Sequence, residues 1–331
     1  FHIIRSGVYE NPTQQQVDVS SGTTPYTLGF RKAFKVTNGN QTSGAGSSDY
    51  ITMRYKIEAQ DMANSGWRYM YDSSADDHIT VSFWGKASVT QTYLFFYHTS
   101  DGTTKEFSHL MSLSAGNWTK VSITAPGNSG ITIDNDNGVG LNIYWAAYLG
   151  PDYTSGSTVD QWVTHSGYTS RPDMDTGWWT TSNATFELTG VQLEVGKESS
   201  AFEHRHQTEE LLRCQRYYYD LVQVSSTNDT FGQQGNVWQE NNGSIMHIRY
   251  PVPMRTTPAF GSTNGTNYWR YFSGNDLATA YLNGSGLVNN LTRYYGGELY
   301  AYLSSGTGAV GRGMWIRGND TAAKAYYDAE F

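Results

Sequence analysis

Short segments in which apolar and polar residues alternate recur along the chain, and they limit the possible folds more than any other feature of the sequence. In residues 50–57, YITMRYKI, the apolar face contains Ile51, Met53, Tyr55 and Ile57, and the polar face contains Thr52, Arg54 and Lys56. A period of two over such a length predicts a half-buried strand. Similar segments occur at residues 78–87, 139–149 and 185–195, with a change of face at Gly190 that predicts a bulge. Strands joined by Gly-, Asn- and Ser-rich turns without helical spacers predict antiparallel sheets.

The composition fits many short strands and excludes several classes of protein. Aromatic residues make up 15% of the 331 residues and Gly contributes 35, which suits strands and tight turns. A net charge of −8 argues against nucleic acid, which binds basic surfaces, and against anionic membranes. Apolar runs stay below the ~18 residues of a membrane span, so we expect no membrane insertion. Cys214 is the only cysteine, so an internal disulfide cannot form.

One segment has helical spacing instead of strand spacing. Thr208 is a candidate N-cap, and Glu209 and Glu210 follow it at the positive end of the helix dipole. The apolar stripe contains Leu211, Cys214, Gln215 and Tyr218, beside Leu212 and Tyr219. We predict a connector helix that buries Leu211, Leu212 and Tyr218 at a domain or subunit contact and keeps Cys214 packed.

The chain is therefore predicted to be all-β, with an antiparallel jelly-roll-like β-sandwich, a connector helix and a second C-terminal β domain. The predicted boundaries are an N-terminal segment at 1–48, the sandwich at 49–203, the connector helix at 204–220 and the C-terminal domain at 221–331. The chain begins at Phe1, without Met and without a signal-peptide pattern, so we expect a fragment of a longer protein. A chain without a disulfide is compatible with folding in a cytoplasm, where we expect it to be made.

The loop at residues 160–179 is the main candidate for ligand binding. It is too polar for a core and unusually rich in aromatic rings, and sugars bind by stacking on exposed rings while polar groups reach their hydroxyls. The candidate ligand-binding residues are Trp162, Tyr168, Asp173, Asp175, Trp178 and Trp179. The alternative is a loop folded over an open end of the sandwich, with its Trp side chains closing that end.

Metal sites and catalysis receive weaker support. Asp134 and Asp136 lie in a DNDNG turn that could bind a structural calcium ion, although an Asx-rich turn explains the same residues. His204 and His206 could share a face, but the spacing supplies no third ligand. The pairs Asp76/Asp77 and Asp173/Asp175 could supply glycosidase carboxylates, although such pairs are common in loops. Motifs for nucleophilic, zinc or nucleotide chemistry are missing, so we expect neither an enzyme nor a cofactor.

Several segments, taken in order, resemble bacteriophage tail fibre and tail-associated proteins. "DYITMRYKIEAQDMANSGW", "ITVSFWGKASVTQTY", "NWTKVSITAPG" and "NDNGVGLNIYW" resemble their carbohydrate-binding-module-like jelly roll. "TGVQLEVG", "FEHR", "EELLRCQRYY" and "YPVPMRTTPAF" resemble a module that follows it, and the final "DAEF" is similar to the end of such fibres. The resemblance extends from about Asp49 to Phe331.

This resemblance implies a virion protein of the tail fibre type that attaches to a host surface glycan or receptor. It also implies a homotrimer and contacts with other virion tail proteins. A capsid or tail decoration protein without receptor binding is the first alternative. A polysaccharide depolymerase is the second, although many of those are solenoids and no solenoid repeat occurs here.

Overall fold

The computed structural model describes residues 1–41, 44–154, 156, 158–166, 171–223, 235–239, 243–263, 268–273, 276–303 and 310–331. The chain divides into two compact units, Phe1–Glu203 and His204–Phe331. Strands dominate both units and helices are short, which confirms the predicted all-β class. None of the helices in the described part of the chain combines the length and the apolarity needed to cross a membrane.

The strands of the first unit form two antiparallel sheets. In chain order they are β1 (His2–Ser6), β2 (Thr13–Asp18), β3 (Lys32–Thr37), β4 (Tyr50–Glu58), β5 (His78–Ala87), β6 (Gln91–Thr99), β7 (Lys105–Leu113), β8 (Thr119–Pro126), β9 (Val139–Leu149), β10 (Trp162–Thr164) and β11 (Thr185–Val195). The first sheet has the order β1-β4-β9-β6-β7-β10, and the second has the order β2-β3-β11-β5-β8. Because β1, β2 and β3 pair within these sheets, the sandwich begins well before residue 49, where the sequence analysis placed its start.

The two sheets enclose one apolar core, which confirms the predicted antiparallel sandwich. Phe95 and Trp145 enter the core from the first sheet, and Phe83 and Phe186 enter it from the second. The rings of Phe83 and Trp145 meet edge to face with centroids 5.6 Å apart. Burial of these large rings supplies much of the driving force for packing the two sheets together.

The bulge predicted at Gly190 is present in β11. The pairing register with β5 shifts between Thr189 and Gln192. Gly190 has φ +60°, and a Cβ atom there would lie 2.6 Å from the Phe30 ring. Only glycine combines that backbone conformation with so close a neighbour. The bulge lets the strand change its buried face, as the sequence pattern indicated.

Three short helices in the first unit were not predicted from the sequence. They are α1 (Thr24–Thr27), α2 (Ala59–Ala63) and α3 (Gly177–Thr180). Single 3-10 turns also occur at Ala75–Asp77 and Pro151–Tyr153. Elements of one turn carry too few residues for a helical period, so tertiary contacts decide whether they form.

The second unit combines one helix with two sheets. Its elements are α4 (Gln207–Gln215), β12 (Tyr218–Gln223), β13 (Gly235–Gln239), β14 (Gly243–Arg249), β15 (Ala259–Ser262), β16 (Trp269–Ser273), β17 (Asp276–Arg293), β18 (Gly296–Leu303), β19 (Gly313–Gly318) and β20 (Lys324–Asp328). Strands β13-β14-β18-β17-β16-β19 close into a continuous ring, while β12-β20-β15 form a separate sheet. Met246, Trp269, Leu299 and Tyr327 belong to the core of this unit.

Helix α4 is the longest helix among the described residues, but it is shorter and more exposed than predicted. It ends at Gln215 because Tyr218 already pairs with Asp328 in the β12–β20 ladder. The N-cap is His206, whose Nδ1 accepts a hydrogen bond from the Thr208 N–H at 3.3 Å. Leu211 is 54% exposed and Leu212 is 41% exposed. The chain itself does not bury them, and burial against another subunit stays a prediction.

Cys214 was predicted to be packed, and the structure corrects this, because the residue is exposed as a whole and only its thiol is partly buried. Partial burial of the thiol and the neighbouring charge of Glu210 raise the pKa of Cys214. A raised pKa keeps the thiol protonated at neutral pH, which does not suit a nucleophile.

The Leu211→Ala change is expected to alter the free energy of unfolding by less than about 0.5 kcal/mol in the isolated chain, because the side chain is exposed. Leu299→Ala is the matched control in the same unit. Its side chain is 0% exposed, and its loss should cost about 2–5 kcal/mol. Calorimetric melting of both variants provides the measurement. A Leu211→Ala cost as large as that of the control would show that the helix is buried by self-association.

Candidate functional site

The outer face of the first sheet is the candidate functional surface. In β4, β9, β6 and β7, every second residue points to the core, so the residues between them point outward. The strand register arranges these outward residues in three rows: Thr52, Ala146, Leu94 and Leu110; then Arg54, Tyr144, Phe96 and Ser108; then Lys56, Asn142, His98 and Glu106. We call these the apolar row, the aromatic row and the polar row.

The apolar row is partly covered by the long segment that follows β9. Leu94 and Ala146 form a small buried cluster with Phe96 and Leu149 on this side of the sheet. Tyr153 and Met174 from the segment pack against that cluster. This explains why the sequence of β6 is apolar on both faces, since one face meets the core and the other meets the covering segment.

The aromatic row leaves Tyr144 at the surface. Its ring lies flat on Phe96, with centroids 4.4 Å apart and planes inclined by 11°. Arg54 Nη1 donates to the Tyr144 hydroxyl at 3.5 Å, and the Arg54 guanidinium carbon is 5.9 Å from the ring centroid. On the far side, the Arg171 guanidinium carbon lies 4.0 Å from the Phe96 centroid. Tyr144 is therefore a partly exposed ring whose orientation is fixed by stacking on Phe96 and by the neighbouring Arg54 guanidinium.

The polar row ends in a buried charge cluster around Glu106, which is 0% exposed. One carboxylate oxygen, Oε1, contacts the Arg171 guanidinium. The same oxygen lies 3.0 Å from His98 Nδ1 and 3.1 Å from His165 Nδ1. Since His165 and Arg171 both belong to the segment that follows β9, the cluster ties that segment to strand β7.

His98, Glu106 and His165 form the one group of potential metal ligands found among the described residues, with ligand atoms within 4.8 Å of one another. Two histidines and a carboxylate are a common ligand set. However, the Arg171 guanidinium contacts the oxygen that would face the ion. Its positive charge opposes a divalent cation at that point. The residues therefore fit a charge-paired anchor better than a metal centre.

Trp178 and Trp179 were predicted to contact a ligand, and the structure corrects this prediction, because both side chains are 0% exposed. They lie on α3 in the core of the sandwich. Asn38 Nδ2 donates to their carbonyl oxygens at 3.1 and 2.8 Å, which fixes the turn of α3. The Trp178 indole donates to the Thr185 carbonyl at 3.1 Å. This arrangement matches the alternative stated above, in which the rings close the sandwich.

The other predicted binding residues are spread over the sandwich. Trp162 is half-buried in β10, stacks on Tyr97 with centroids 6.2 Å apart, and donates to the Pro126 carbonyl at 2.5 Å. Asp173 accepts a hydrogen bond from the Thr154 hydroxyl at 2.6 Å. Asp175 accepts one from the Thr92 N–H at 3.4 Å. Tyr168 lies outside the described residues. A ligand-binding role for Trp162, Asp173 and Asp175 stays a prediction.

The proposed calcium turn is organised by hydrogen bonds to its own backbone. Asp136 Oδ1 accepts the Gly138 N–H at 2.7 Å, and Asp101 Oδ2 accepts the Asp134 N–H at 2.9 Å. Burial of Asp101, together with the charges of Asp134 and Asp136, raises the pKa of the Asp101 carboxyl. These contacts are those of an Asx-type turn. Calcium binding at Asp134 and Asp136 stays a prediction.

Two of the remaining polar candidates, Asp77 and His206, have structural roles. Asp77 Oδ2 accepts the N–H groups of Ser73 and Ser74 at 2.7 and 2.6 Å, which stabilises the 3-10 turn. His206 serves as the N-cap of α4. Neither Asp77 nor His206 therefore needs a catalytic or metal-binding role to explain its position.

Sequence reasoning missed Tyr144, Arg54 and His98 as a group. The alternation in β9 separates Tyr144 from its core-facing neighbours Ile143 and Trp145, so its outward direction was visible in the sequence. The alignment of Tyr144 with Arg54 and Phe96 depends on strand register, which no local pattern specifies.

No protein-family model matches the chain, and no curated protein matches it. Among solved structures, the CBM22-1 xylan-binding domain of Paenibacillus barcinonensis Xyn10C is 10% identical with a TM-score of 0.29, covering 60% of this chain and 87% of that domain. A family 11 carbohydrate-binding module from Clostridium thermocellum is 12% identical with a TM-score of 0.29, and the match covers 60% of this chain and 90% of that module. The enzymatically active domain of bacteriophage CBA120 tailspike protein 4 is 11% identical with a TM-score of 0.28, and the match covers 57% of this chain and 20% of that chain. Similarity at this level carries no argument about function, which has to come from the residues.

Proposed function

We propose that the first unit binds a glycan on the outer face of its first sheet, and that the chain is part of a bacteriophage tail fibre protein that attaches to a host surface. The half-exposed ring of Tyr144 beside Arg54 carries the glycan part of this proposal. The sequence resemblance to tail fibre proteins carries the phage part.

The chemistry of the aromatic row suits a sugar. The apolar C–H face of a pyranose packs on an aromatic ring, and its hydroxyls need donors and acceptors close to that ring. Tyr144 offers the ring and a hydroxyl, and the Arg54 guanidinium offers several N–H donors beside it. His98, whose side chain is 22% exposed, adds an imidazole in the neighbouring row. A ligand held in this way is bound without a chemical reaction.

Attachment through many weak sites explains how such a surface works on a virion. One ring and a few hydrogen bonds give modest affinity, and a homotrimeric fibre multiplies that affinity through effective concentration. Other tail proteins would hold the fibre, and a host surface glycan would be the receptor. In this proposal the second unit contributes to the fibre rather than to the Tyr144 surface.

Tyr144→Ala is expected to weaken glycan binding at least about tenfold, or about 1.4 kcal/mol, because it removes the stacking surface. Tyr144→Phe keeps the ring and should retain most of the affinity. A glycan array followed by calorimetric titration of the best ligand provides the measurement, and melting curves establish that each variant is folded.

Tyr9→Ala is the matched control, because Tyr9 is 75% exposed in the same unit and lies outside the aromatic row. It should leave binding unchanged. If Tyr144→Ala binds as well as the parent protein while remaining folded, the outer face of the first sheet is not the binding surface.

The proposed place of the chain in a phage tail fibre has a separate test, which is whether antibodies to the chain label the tails of intact phage particles in electron micrographs.

A further inference from the structure

A second surface, on the second unit, has two arginines on either side of a glycine. Strand β18 lies between β14 and β17, and Gly296 of β18 pairs with Arg249 on one side and Arg293 on the other. Directly paired residues in antiparallel strands project from the same face of the sheet. Because Ile248 is buried in the core, its neighbour Arg249 projects outward, and Arg293 projects with it.

Gly296 leaves a depression between these two side chains, because it carries no side chain on the face from which they project, whereas Gly297 pairs with Ile248 on the core side. A Cβ atom at Gly296 would lie 2.6 Å from the Ile248 carbonyl oxygen, and one at Gly297 would lie 2.7 Å from the Leu291 carbonyl oxygen. Neither position therefore accepts a side chain without a backbone shift. The result is an open pocket of about 390 Å³ whose wall also includes Tyr295 and Leu291.

The charges of this pocket differ from those of the whole chain. Within the described residues, Arg249 has no acidic partner, and Arg293 donates to the carbonyl oxygen of its neighbour Thr292 at 3.3 Å. Glu298 lines the same pocket, but its carboxylate accepts from Asn290 Nδ2 at 3.0 Å and lies 3.4 Å from His247 Nδ1. The two guanidinium groups thus form a local cationic site on a chain with a net charge of −8.

We propose that this two-arginine pocket binds an oxyanion carried by a sugar, such as the carboxylate of a uronic acid or a sulfate ester. The Cα atoms of the two arginines are separated by two strand spacings, roughly 9–10 Å, which long side chains can close around one anion. Guanidinium groups bind carboxylate and sulfate oxygens through paired hydrogen bonds. Tyr295 is 58% exposed and Leu291 is 39% exposed, so they supply apolar walls for the ring that carries the anion.

This inference does not rest on the proposed function of the first unit, since it concerns different residues in a different unit. Failure of the Tyr144 experiment leaves it standing, and its own failure leaves the Tyr144 surface standing. The net charge of −8 does not oppose an anionic ligand here, because screening by salt weakens the distant acidic groups relative to the two local arginines.

The test is titration of the full chain with three trisaccharide probes: trigalacturonate, a sulfated maltotriose and neutral maltotriose. The parent protein should bind at least one anionic probe, with an affinity that falls as salt rises, and the identity of that probe separates carboxylate from sulfate. The double variant Arg249→Gln/Arg293→Gln should lose at least tenfold in affinity for that probe. Glu298→Gln should tighten binding, because it removes the one negative charge that lines the pocket.

Arg312→Gln is the control for the type of substitution, since it removes one positive charge from an exposed position of the same unit outside the pocket. It should leave the affinity within twofold of the parent value. Three results would each overturn the proposal: neither anionic probe binds, the double variant binds as well as the parent, or Arg312→Gln loses as much affinity as the double variant. Melting curves on all variants exclude unfolding as the cause of lost binding.

Discussion

Replacing Trp179 with alanine is expected to lower the stability of the first unit by about 3–5 kcal/mol, as other deletions of large buried rings do. The side chain is 0% exposed and its ring packs against Tyr148 with centroids 5.3 Å apart. Removal leaves a cavity at the end of the sandwich that the surrounding strands cannot fill. Because the ring does not reach the surface, glycan binding by the folded variant should match that of the parent protein.

Trp118→Ala is the matched control for this experiment. Trp118 is only partly buried and lies against Lys86, whose Nζ is 5.2 Å from its ring, so its loss should cost much less. Calorimetric melting measures the loss of stability in each variant, and titration with the glycan measures its binding affinity. A Trp179→Ala variant that melts like the parent and loses glycan binding would return this residue to the list of ligand contacts.

Glu106→Gln is expected to cost about 3–5 kcal/mol, because it removes the negative charge that a buried guanidinium contacts. The Glu106 side chain is 0% exposed and that of Arg171 is 5% exposed, so water cannot replace the lost carboxylate. His165 and Arg171 are both held by this carboxylate. The segment that follows β9 should therefore also become more open to proteolysis, at temperatures where the sandwich is still folded.

Two further variants show whether the buried charge is the cause. Asp18→Asn breaks the ion pair with Lys32. Because the Asp18 side chain is 81% exposed and the Lys32 side chain is 53% exposed, this should cost at most about 1 kcal/mol. The double variant Glu106→Gln/Arg171→Gln removes both charges, so it should be more stable than Glu106→Gln alone. If Glu106→Gln melts within experimental error of the parent, the cluster does not anchor the segment.

The sequence alone determined the class of fold, the faces of the strands and one special glycine. Alternation in residues 50–57 assigned Met53 to the core and Arg54 to the outside, and the structure agrees because each strand residue must face the opposite side from its neighbours. Gly190 marked the bulge because few other residues tolerate its backbone angle. These are local properties, and the side chains that determine them lie close together in the chain.

The tertiary structure alone decided which residues meet. Trp178 and Trp179 lie in a polar stretch that predicted exposure, yet α3 turns them into the core, where Asn38, more than a hundred residues earlier, holds their carbonyl groups. Leu211 and Cys214 lie on the predicted stripe of α4, but the strands that follow do not cover it. Tyr144 meets Arg54, and Arg249 lies beside Gly296 and its hairpin neighbour Arg293, only through the register of strands far apart in sequence. Register depends on how whole faces pack, so both proposed binding surfaces arise from long-range pairing that a local pattern does not encode.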